Sequence, residues 1–431
     1  MIFKTANADA AAPVPAPAPV PAPAPVPAPH TAPSHDPVPS LADDPFSLAN
    51  LADPYPLHQK LREAGPVVWL EKYGSYAVTR YEPVYEILTD FETYISGGGL
   101  GPADRRKSAE WRRAGILESD PPTHTAMRRG LSKVVSPSSV RRLRAEFEPP
   151  ARELVQELVA RGSFDVVADL AEVYPLQVFP DAVGIPQDGR ENLLPYGSMA
   201  FNAFGPRNEV YAEAFRNEAA VSAWVLENCE RRNLRPGGFG AGIWEVADEG
   251  GITADEAALL VRALLSAGVD TTVTGIGNTL LCLARNPDQW EKLRANPNLA
   301  KFAVDEALRL ESPFQMFHRT AAVDSMIDGV LIPADSKILL FMGAANRDPR
   351  KWGDNADSFD LDRSASGHVA FGMGLHQCVG QPIARLEIEL VLQALAGSAE
   401  RIELTSEPVP QIHNVLHAFS SIPVRVVPAG G

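Results

Sequence analysis

The residues with the clearest chemical potential are one cysteine and the glycines around it, in Phe371-Gly-Met-Gly-Leu-His-Gln-Cys-Val-Gly380. A metal-bound thiolate must stay anionic in apolar surroundings, so it needs backbone N–H donors and the positive end of a helix near its sulfur. Gly372 and Gly374 can adopt backbone angles that are closed to other residues just before Cys378. Pro382 is typical of a first helical turn. Apolar residues then recur at helical spacing: Ile383, Leu386, Leu390 and Val391. The pattern predicts a cysteine at a helix N-terminus, as a metal-bound thiolate requires.

The complete pattern, Phe-x-x-Gly-x-His-x-Cys-x-Gly, resembles the haem-binding signature of the cytochrome P-450 monooxygenases. Its fixed positions are Phe371, Gly374, His376, Cys378 and Gly380. Cys-Val-Gly alone is more typical of a buried cysteine in a glycine-rich turn. A zinc site would need four clustered ligands, and only His376 and Cys378 lie close together in the sequence. The resemblance implies haem b with Cys378 as the axial ligand and with Phe371 and His376 beside the cofactor.

A second segment, Ala-Leu-Leu-Ser-Ala-Gly-Val-Asp-Thr-Thr, lies within a helix predicted from about Thr253 to Arg285. Ala263, Ala267 and Thr271 occur at i, i+4 and i+8, so one helix face carries small side chains, with Asp270 beside them. Ordinary helix packing could produce the same spacing. Such a face can, however, approach a flat ring closely.

Gly268 interrupts this helical pattern. A glycine in a helix interior costs about 1 kcal/mol relative to alanine, which indicates a locally loosened turn with room for water or dioxygen. The segment resembles the oxygen-activation motif of the same family. The resemblance implies that Asp270 and Thr271 form a catalytic acid–alcohol proton relay and that Ala267 and Gly268 lie against the haem.

Opposite charges recur in Glu306-Ala-Leu-Arg309. An exposed pair at i and i+3 contributes only about 0.2–0.5 kcal/mol, and a surface ion pair is the ordinary interpretation. The other positions of this helix are hydrophobic, and Phe359-Asp-Leu-Asp-Arg363 supplies another arginine. These residues resemble the buried Glu-x-x-Arg plus Arg network of the family, which implies a structural role for Glu306, Arg309 and Arg363 behind the cysteine loop.

Haem carries two propionates, so cations are expected where they can reach one edge of the ring. Asp120-Pro-Pro-Thr-His124 is followed by Arg128, which places a histidine and an arginine at i and i+4 on one helix face. The family resemblance assigns both to the propionates. It adds Arg319 and His376 to the same set.

From Glu82 onward the chain mostly has the periodicity of amphipathic helices, broken by glycine- and proline-rich turns. A short helix is expected to open at Asp53 and to end near Gly65. The predicted strands are Val67–Leu70, Tyr76–Thr79, Val330–Ile332, Lys337–Leu340 and Ile422–Val427. The fold class is therefore mainly α with a small β region. It matches the cytochrome P-450 fold, an α-rich triangular prism around haem, that the resemblance implies.

The alternating Pro-Ala-Val run from Ala11 to Ala32 favours extended polyproline geometry. We expect residues 1–40 to form a disordered Pro/Ala-rich tail; a proline-recognition ligand or spacer is the alternative. No internal linker divides the rest of the chain. Residues 41–431 are therefore expected to form a single haem-thiolate monooxygenase domain.

The formal net charge of −15 disfavours nucleic acid and anionic membranes as partners, because both need a concentrated positive surface. The sequence shows no uncharged apolar run of 18 residues and no hydrophobic leader at its start. Its cysteines, Cys229, Cys282 and Cys378, are too few and too scattered for a disulfide framework. We expect a monomeric cytoplasmic protein in which Cys229 and Cys282 pack within helices.

The resemblance implies a haem monooxygenase that inserts one atom of dioxygen into a C–H bond and reduces the other to water. The two electrons needed come ultimately from NAD(P)H. Because no flavin or iron–sulfur module is fused to the chain, an iron–sulfur ferredoxin and a flavin-dependent ferredoxin reductase are the expected partners. A local basic docking face is predicted from Arg128, Arg129, Arg141, Arg142, Lys351 and Arg385.

Nearly the whole chain after the tail resembles the bacterial group that oxidises para-substituted benzoates by hydroxylation or O-demethylation. The small aromatic substrate is then expected to meet Phe201, Phe204, Ala263, Ser266, Phe314, Phe317 and Phe419. The group offers an arginine to the substrate carboxylate, and Gly98 stands in its place. Ala263 replaces a serine, Phe314 a smaller residue, and Phe419 enlarges its position. Arg262 and Arg105 are candidates to compensate.

Losing a charge-assisted hydrogen bond costs about 1.5–3 kcal/mol, so a neutral phenol or alkoxybenzene is an alternative substrate. A peroxide-using haem-thiolate enzyme would need no donor, but it would normally lack the acid–alcohol pair of Asp270 and Thr271. A haem-based sensor or carrier is the alternative of a different class. It would form a stable oxygen complex without product.

Overall fold

The computed structural model describes residues 38–107 and 115–430. The Pro/Ala run from Ala11 to Ala32 lies outside the described residues. Ser40 and Leu41 form a strand, so regular structure includes residue 40, the last residue assigned to the tail. The tail at residues 1–40 and the single domain from residue 41 stay predictions.

Helices make up most of the described chain. Their bounds are α1 Leu48–Ala52, α2 Tyr55–Ala64, α3 Tyr81–Thr89, α4 Thr123–Val134, α5 Pro137–Arg161, α6 Val173–Val183, α7 Leu193–Asn202, α8 Glu209–Ala214, α9 Glu218–Asn228, α10 Phe239–Asp248, α11 Ala254–Ala267, α12 Asp270–Arg285, α13 Pro287–Ala295, α14 Ala300–Leu310, α15 Met342–Ala345, α16 Pro349–Trp352 and α17 Gln381–Ser398. The prediction of a mainly α protein is confirmed.

The strands are β1 Ser40–Leu41, β2 Val67–Leu70, β3 Ser75–Val78, β4 Tyr94–Ile95, β5 Ser163–Asp165, β6 Met316–Ala321, β7 Ser325–Ile327, β8 Val330–Ile332, β9 Lys337–Phe341, β10 Ala399–Leu404, β11 Val409–Gln411, β12 Ala418–Ser421 and β13 Pro423–Pro428. The largest sheet has the order β1-β2-β3-β9-β6-β4. Smaller sheets follow the orders β10-β13-β5, β11-β12 and β7-β8. The five predicted strands are present, with ends that differ by about one residue.

The helix α12 runs through the interior, and nearly all of its residues are buried. Small residues such as Gly275 and Gly277 let it approach its neighbours closely; a methyl group at Gly275 would lie 3.0 Å from Ile388 of α17. Together with α11 it forms the stretch Ala254–Arg285, which is long and apolar enough to cross a bilayer, and 61% of its most apolar window is buried inside the protein. It therefore has the surroundings of a core helix.

The helix α17 packs along α5 and also contacts α12 and α14. Its buried side carries Ile383, Leu386, Leu390 and Val391, the residues whose spacing predicted it. Pro382 lies in its first turn and Gly380 is its N-cap. The segment before α17 therefore ends at a rigid, well-packed helix start, where the cysteine lies.

Candidate active site

The loop before α17 holds Cys378 in a defined turn. Gly372 and Gly374 have φ angles of 65° and 66°, the left-handed region that favours glycine, as the sequence predicted. A Cβ at Gly374 would also lie 2.7 Å from the carbonyl oxygen of Leu88. The Cys378 N–H donates to the Phe371 carbonyl at 2.9 Å, which closes the loop. Glycine is thus required at position 374 both for its backbone angle and for contact with α3.

The sulfur of Cys378 lies where a helix begins. The backbone N–H groups of Gly380 and Gln381, in the first turn of α17, lie close enough to lower its pKa. Burial raises the pKa of this thiol, and those N–H groups and the Arg128 guanidinium act in the opposite direction. A metal ion bound to a thiol holds it deprotonated outright. The backbone donors then stabilise the resulting charge, as a thiolate ligand requires.

Histidine and arginine side chains lie together beside this loop, and burial lowers the pKa of His124 to about 4 and that of His376 to about 2, so both rings are neutral at pH 7. The rings of His124 and His376 have centroids 4.2 Å apart. Nδ1 of His124 and both ring nitrogens of His376 are buried and have no hydrogen-bond partner among the described residues. Burial lowers the pKa of Arg319 to about 10, so its guanidinium remains charged at neutral pH. Its hydrogen bond to the His318 carbonyl is long, at 3.5 Å.

These groups fit the propionates of a haem. Buried donors without partners are costly, and two carboxylates of a ligand would satisfy them with charge-assisted hydrogen bonds. Arg128 has a second contact, because its Nη1 donates to the carbonyl of Gln377 at 2.6 Å. It therefore also supports the residue that precedes Cys378.

The predicted long helix is interrupted where the sequence placed the loosened turn. Helix α11 ends at Ala267 and α12 begins at Asp270. The Thr271 hydroxyl donates to the Ala267 carbonyl across this break at 2.8 Å. Gly268 is required for another reason that the sequence did not reveal: a Cβ there would overlap the ring of Phe179.

Asp270 is buried beside this break. Its Oδ2 has no hydrogen-bond partner among the described residues. Burial, followed by the charge of Glu172, raises the pKa of Asp270 to about 7. A carboxyl group with a pKa near neutrality can both accept and donate a proton at working pH. Gly197 of α7 leaves room for it, since a Cβ there would lie 2.9 Å from the Cβ of Asp270.

Four phenylalanines form an aromatic cluster. The ring centroid of Phe314 lies 5.5 Å from that of Phe201, 6.5 Å from that of Phe204 and 5.7 Å from that of Phe317. A cavity of about 50 Å³ adjoins it, with lining residues that include Phe201, Phe204, Arg262, Ala263, Ser266 and Ala267. The structure thus brings together most of the residues predicted to meet the substrate. Ala267, which accepts the Thr271 hydroxyl, belongs to the same cavity.

Two predicted substrate residues lie elsewhere. Phe419 packs on His417, with ring centroids 5.3 Å apart, and lines a different cavity. A Cβ at Gly98 would overlap the hydroxyl of Thr320, so this position faces β6, and Gly98 does not line the cavity beside the phenylalanines. The structure does not bring Phe419 and Gly98 to the cavity beside the phenylalanines, and their contact with a substrate stays a prediction. Both residues lie in loops or hairpins, whose direction depends on distant contacts.

The loop at Gly98 is held by a residue that sequence reasoning missed. Lys337 is buried, and its Nζ donates to the carbonyls of Gly98 and Gly99 at 3.1 and 2.7 Å and to Thr320 Oγ1 at 3.2 Å. Burial lowers the pKa of Lys337 to about 7. The period-two alternation of β6 places Thr320 on the face opposite to Phe317. No local motif marks a single lysine in a strand as a loop anchor.

Arg105 was one of two candidates, with Arg262, to replace the missing arginine at position 98. It forms an ion pair with Glu118 at 2.9 Å. Its backbone N–H donates to the Gly98 carbonyl at 2.9 Å. Arg105 is absent from the lining of the cavity beside the phenylalanines, whereas Arg262 is part of it. Of the two candidates, Arg262 is therefore the one that lines this cavity.

Glu306, Arg309 and Arg363 form a buried network. Glu306 Oε2 accepts from Arg309 Nε at 2.8 Å, and Oε1 accepts from Arg363 Nε at 3.0 Å. Arg309 Nη1 also donates to the carbonyl of Asn346 at 2.7 Å. The side-chain oxygen of Asn346 in turn accepts a hydrogen bond from the Val369 N–H at 2.8 Å. The sequence did not single out Asn346. The contacts run from α14 to the start of the cysteine loop.

Comparison with known proteins gives one family. Residues 245–396 match the Cytochrome P450 family. The chain is 52% identical over 394 residues to Cytochrome p450 CYP199A2 of Rhodopseudomonas palustris, covering 91% of this chain and 95% of that protein.

Solved structures agree with this match. The crystal structure of CalO2 aligns with a TM-score of 0.80 at 27% identity, covering 90% of this chain and 100% of that one. Cytochrome P450 CREJ in complex with (4-ethylphenyl) dihydrogen phosphate aligns with a TM-score of 0.78 at 26% identity, covering 89% of this chain and 98% of that one.

Proposed function

Because the chain belongs to the cytochrome P450 family, we propose that this monooxygenase oxidises a small aromatic substrate, by hydroxylation or O-demethylation of a para-substituted benzoate-like compound. The family membership establishes haem with a cysteine thiolate ligand, dioxygen, and NAD(P)H-derived electrons delivered by redox partners. The substrate class, the residue roles, a monomeric state and a cytoplasmic location are parts of the proposal.

Cys378 is the proposed axial ligand. The observation that carries this assignment is the turn that holds Cys378 immediately before α17, closed by its N–H to the Phe371 carbonyl at 2.9 Å and followed by Gly380 as the N-cap of the helix. His124, Arg128, Arg319 and His376 would hold the haem propionates, and Phe371 would lie beside the ring. When bound, the haem supplies dioxygen activation and the insertion of one oxygen atom into a C–H bond.

A carbon monoxide difference spectrum of the reduced protein tests the ligand. Wild-type protein should give the thiolate-type band, and Cys378→Ser should lose it. Cys282→Ser is the matched control, because Cys282 is also buried but lies in α12. A thiolate-type band that persists in Cys378→Ser would overturn the assignment.

Asp270 and Thr271 are the proposed proton relay. Thr271→Ala removes the hydroxyl, so electrons should be diverted to peroxide and product per reductant consumed should fall several-fold. Thr279→Ala is the control, since the Thr279 hydroxyl also donates to a carbonyl four residues earlier in α12. Unchanged product yield in Thr271→Ala would contradict the relay.

A flat aromatic substrate is supported by the cluster of Phe201, Phe204, Phe314 and Phe317 beside the small-residue face of α11. Aromatic rings pair with offset or edge-to-face geometry, and a flat guest can complete such a set. CREJ, a similar structure, holds a para-substituted phenyl compound. Ala263, Ala267 and Ser266 leave space on the helix side, whereas larger residues would fill it.

Arg262 is the proposed partner of a substrate carboxylate. It lines the substrate cavity, whereas Gly98, which stands in place of the arginine of the resembled group, does not. An arginine–carboxylate contact is worth about 1.5–3 kcal/mol, or about one to two decades in affinity. A neutral phenol or alkoxybenzene is the second candidate substrate, because Gly98 has no side chain that could supply a positive charge.

Spin-state titrations with 4-methoxybenzoate and 4-methoxyphenol distinguish the two. If Arg262 binds the carboxylate, Arg262→Gln should weaken the benzoate by about tenfold or more and leave the phenol unchanged. The uncharged ligand is the control for general damage to the pocket. Equal affinities of wild-type protein for the two ligands would refute the acid preference.

A ferredoxin is the proposed electron donor, bound near the cysteine loop. Of the six basic residues predicted for the docking face, Arg129, Arg141, Arg142 and Lys351 are exposed. Arg128 is tied to Gln377, and Arg385 donates to Asp305 at 2.7 Å. The first four residues are therefore the stronger candidates for contact with an acidic partner.

Charge reversal tests this surface. Arg141→Glu combined with Arg142→Glu should slow ferredoxin-driven reduction about tenfold at low salt and less at high salt. Arg216→Glu is the control, because Arg216 lies in the segment between α8 and α9 and belongs to an exposed ion pair. Equal reduction rates in the control and the double variant would exclude these two arginines from the docking face.

A further inference from the structure

A second cavity, of about 150 Å³, lies against the start of α12. Its walls come from α7, α12, β12 and the residues just before α6, and it shares no lining residue with the substrate cavity. Asp270 lines the second cavity, whereas Ala267, which accepts the Thr271 hydroxyl, lines the first. The acid–alcohol pair therefore lies between the two spaces.

The polar lining of this cavity is incomplete without water. Oδ2 of Asp270 and Oδ1 of Asn278 are buried, and neither has a hydrogen-bond partner among the described residues. Both residues line the cavity, together with the hydroxyl-bearing Ser198 and Thr274. A space of this size and polarity has room for several waters, which would satisfy the two orphaned oxygens.

The cavity connects the surface to Asp270. Pro195 and Gln411, which line one part of it, are exposed, whereas Asp270 and Asn278 are buried. Glu172 is half-buried and is the other ionisable residue among the lining residues. A proton entering from solvent would therefore meet one carboxyl group near the surface and a second at the helix break.

We infer that this cavity is the proton inlet of the enzyme and that Glu172 is the carboxylate that loads it. The inference rests on the proposed role of Asp270 and Thr271 and extends it to the solvent. Glu172 takes a proton from solvent and releases one to a cavity water, which passes a proton to Asp270. Asp270 then supplies the Thr271 hydroxyl. Only O–H bonds form and break, and no electrons move.

The electrostatics agree with this geometry. Burial, and then the charge of Asp165, raises the pKa of Glu172. Burial, and then the charge of Glu172, raises the pKa of Asp270 to about 7. The histidines on neighbouring elements do not counteract these upward pKa shifts. Burial lowers the pKa of His413 to about 3, so its ring is neutral, and His417 pairs with another carboxylate, Glu311, at 3.2 Å. Both shifts favour the protonated form, so each carboxyl group holds its proton to a higher pH than an exposed carboxyl group would.

An infrared titration tests the coupling without turnover. The C=O band of protonated Asp270, assigned by its loss in Asp270→Asn, should titrate near pH 7 in wild-type protein. In Glu172→Gln the band should titrate at lower pH, because a like charge has been removed. Glu191→Gln is the matched control, since Glu191 is an exposed carboxylate that does not line the cavity. An unchanged band in Glu172→Gln would overturn the inference.

Turnover in light and heavy water tests the inlet itself. Glu172→Gln should slow product formation about tenfold and enlarge the solvent isotope effect, and Glu172→Asp should restore part of the rate. Ala418→Leu should also slow turnover, because it would fill the cavity while leaving Glu172 in place. Rates and isotope effects equal to those of Glu191→Gln in all three variants would overturn the inference.

Failure of the inlet is distinguishable from failure of the proposed function. A wild-type protein with a thiolate-type carbon monoxide band, and product loss in Thr271→Ala, would support the monooxygenase and its relay. Normal behaviour of Glu172→Gln in that same protein would then reject the inlet alone.

Discussion

Replacing Arg309 by methionine tests whether the buried ion network stabilises the fold behind the cysteine loop. Arg309 has no exposed surface, and all five N–H groups of its guanidinium have acceptors. Two donate to Glu306 and the others to the carbonyls of Asn346, Ala356 and Ser358, at 2.7–3.1 Å. Methionine is similar in length and fills the space, but it offers no donor.

The expected cost follows from what the variant leaves behind. The Glu306 carboxylate stays fully buried and keeps Arg363 as its cationic partner, at 3.0 Å. Breaking a buried pair by removing one partner costs about 3–5 kcal/mol. Arg231→Met is the control, because Arg231 and Asp248 form a pair with side chains 57% and 53% exposed. An exposed pair of this kind contributes about 0–1 kcal/mol.

Urea unfolding followed by circular dichroism gives the difference. The measurement is made on both haem-loaded and haem-free protein, because a tightly bound cofactor departs from two-state behaviour and adds its own stability. Arg309→Met should lower the unfolding midpoint in both forms with an unchanged slope. Adding Glu306→Gln should cost less than the sum of the single changes, since the buried charge is then removed. A shift no larger than that of Arg231→Met would refute the reasoning.

Three further predictions follow from single contacts. Burial alone would raise the pKa of Glu311, but its cationic neighbours outweigh burial and bring the pKa down to about 2. The ionised Glu311 therefore stabilises the folded protein fully at pH values above the pKa of an unfolded glutamate. This stabilisation is lost as the pH falls toward 2. Glu311→Gln should therefore cost on the order of 3 kcal/mol at pH 7 and flatten the acid limb of a stability–pH curve; equal curves would contradict this. Gly98→Arg should lower stability by about 1–3 kcal/mol, because its Cβ would overlap Thr320, and should not improve benzoate binding in a spin-state titration. Gly268→Ala should lower the thermal midpoint, and Phe179→Leu in the same chain should recover part of the loss, because the added methyl overlaps that ring; no recovery would exclude this contact as the cause.

Several local features of the site were predictable because the sequence encodes them within one or two turns. The left-handed angles of Gly372 and Gly374, the helix that begins just after Cys378, and the break near Gly268 depend on residues close in the chain. Glycine is the residue that enters the left-handed region without strain, and a proline in the first turn marks a helix start. The family resemblance added which side chains should meet the haem.

Other parts of the site required contacts between distant segments. The anchoring of the Gly98 loop by Lys337 joins residues more than 200 positions apart. The contact of Phe179 with Gly268 and the burial of Asn346 likewise depend on how helices and strands pack. Local periodicity carries no signal for such pairs, because it reports which face of an element is apolar and not which element covers it.

By itself, the sequence determined the cysteine loop, the helix that follows it, the small-residue face before Asp270 and Thr271, and the mainly α class. Only the tertiary structure decided which phenylalanines share a cavity, that Phe419 lies apart from them, and that Glu172 shares a polar space with Asp270. The physical reason is that backbone preferences act over a few neighbouring residues. Cavities and buried charges depend instead on close packing among elements far apart in the chain.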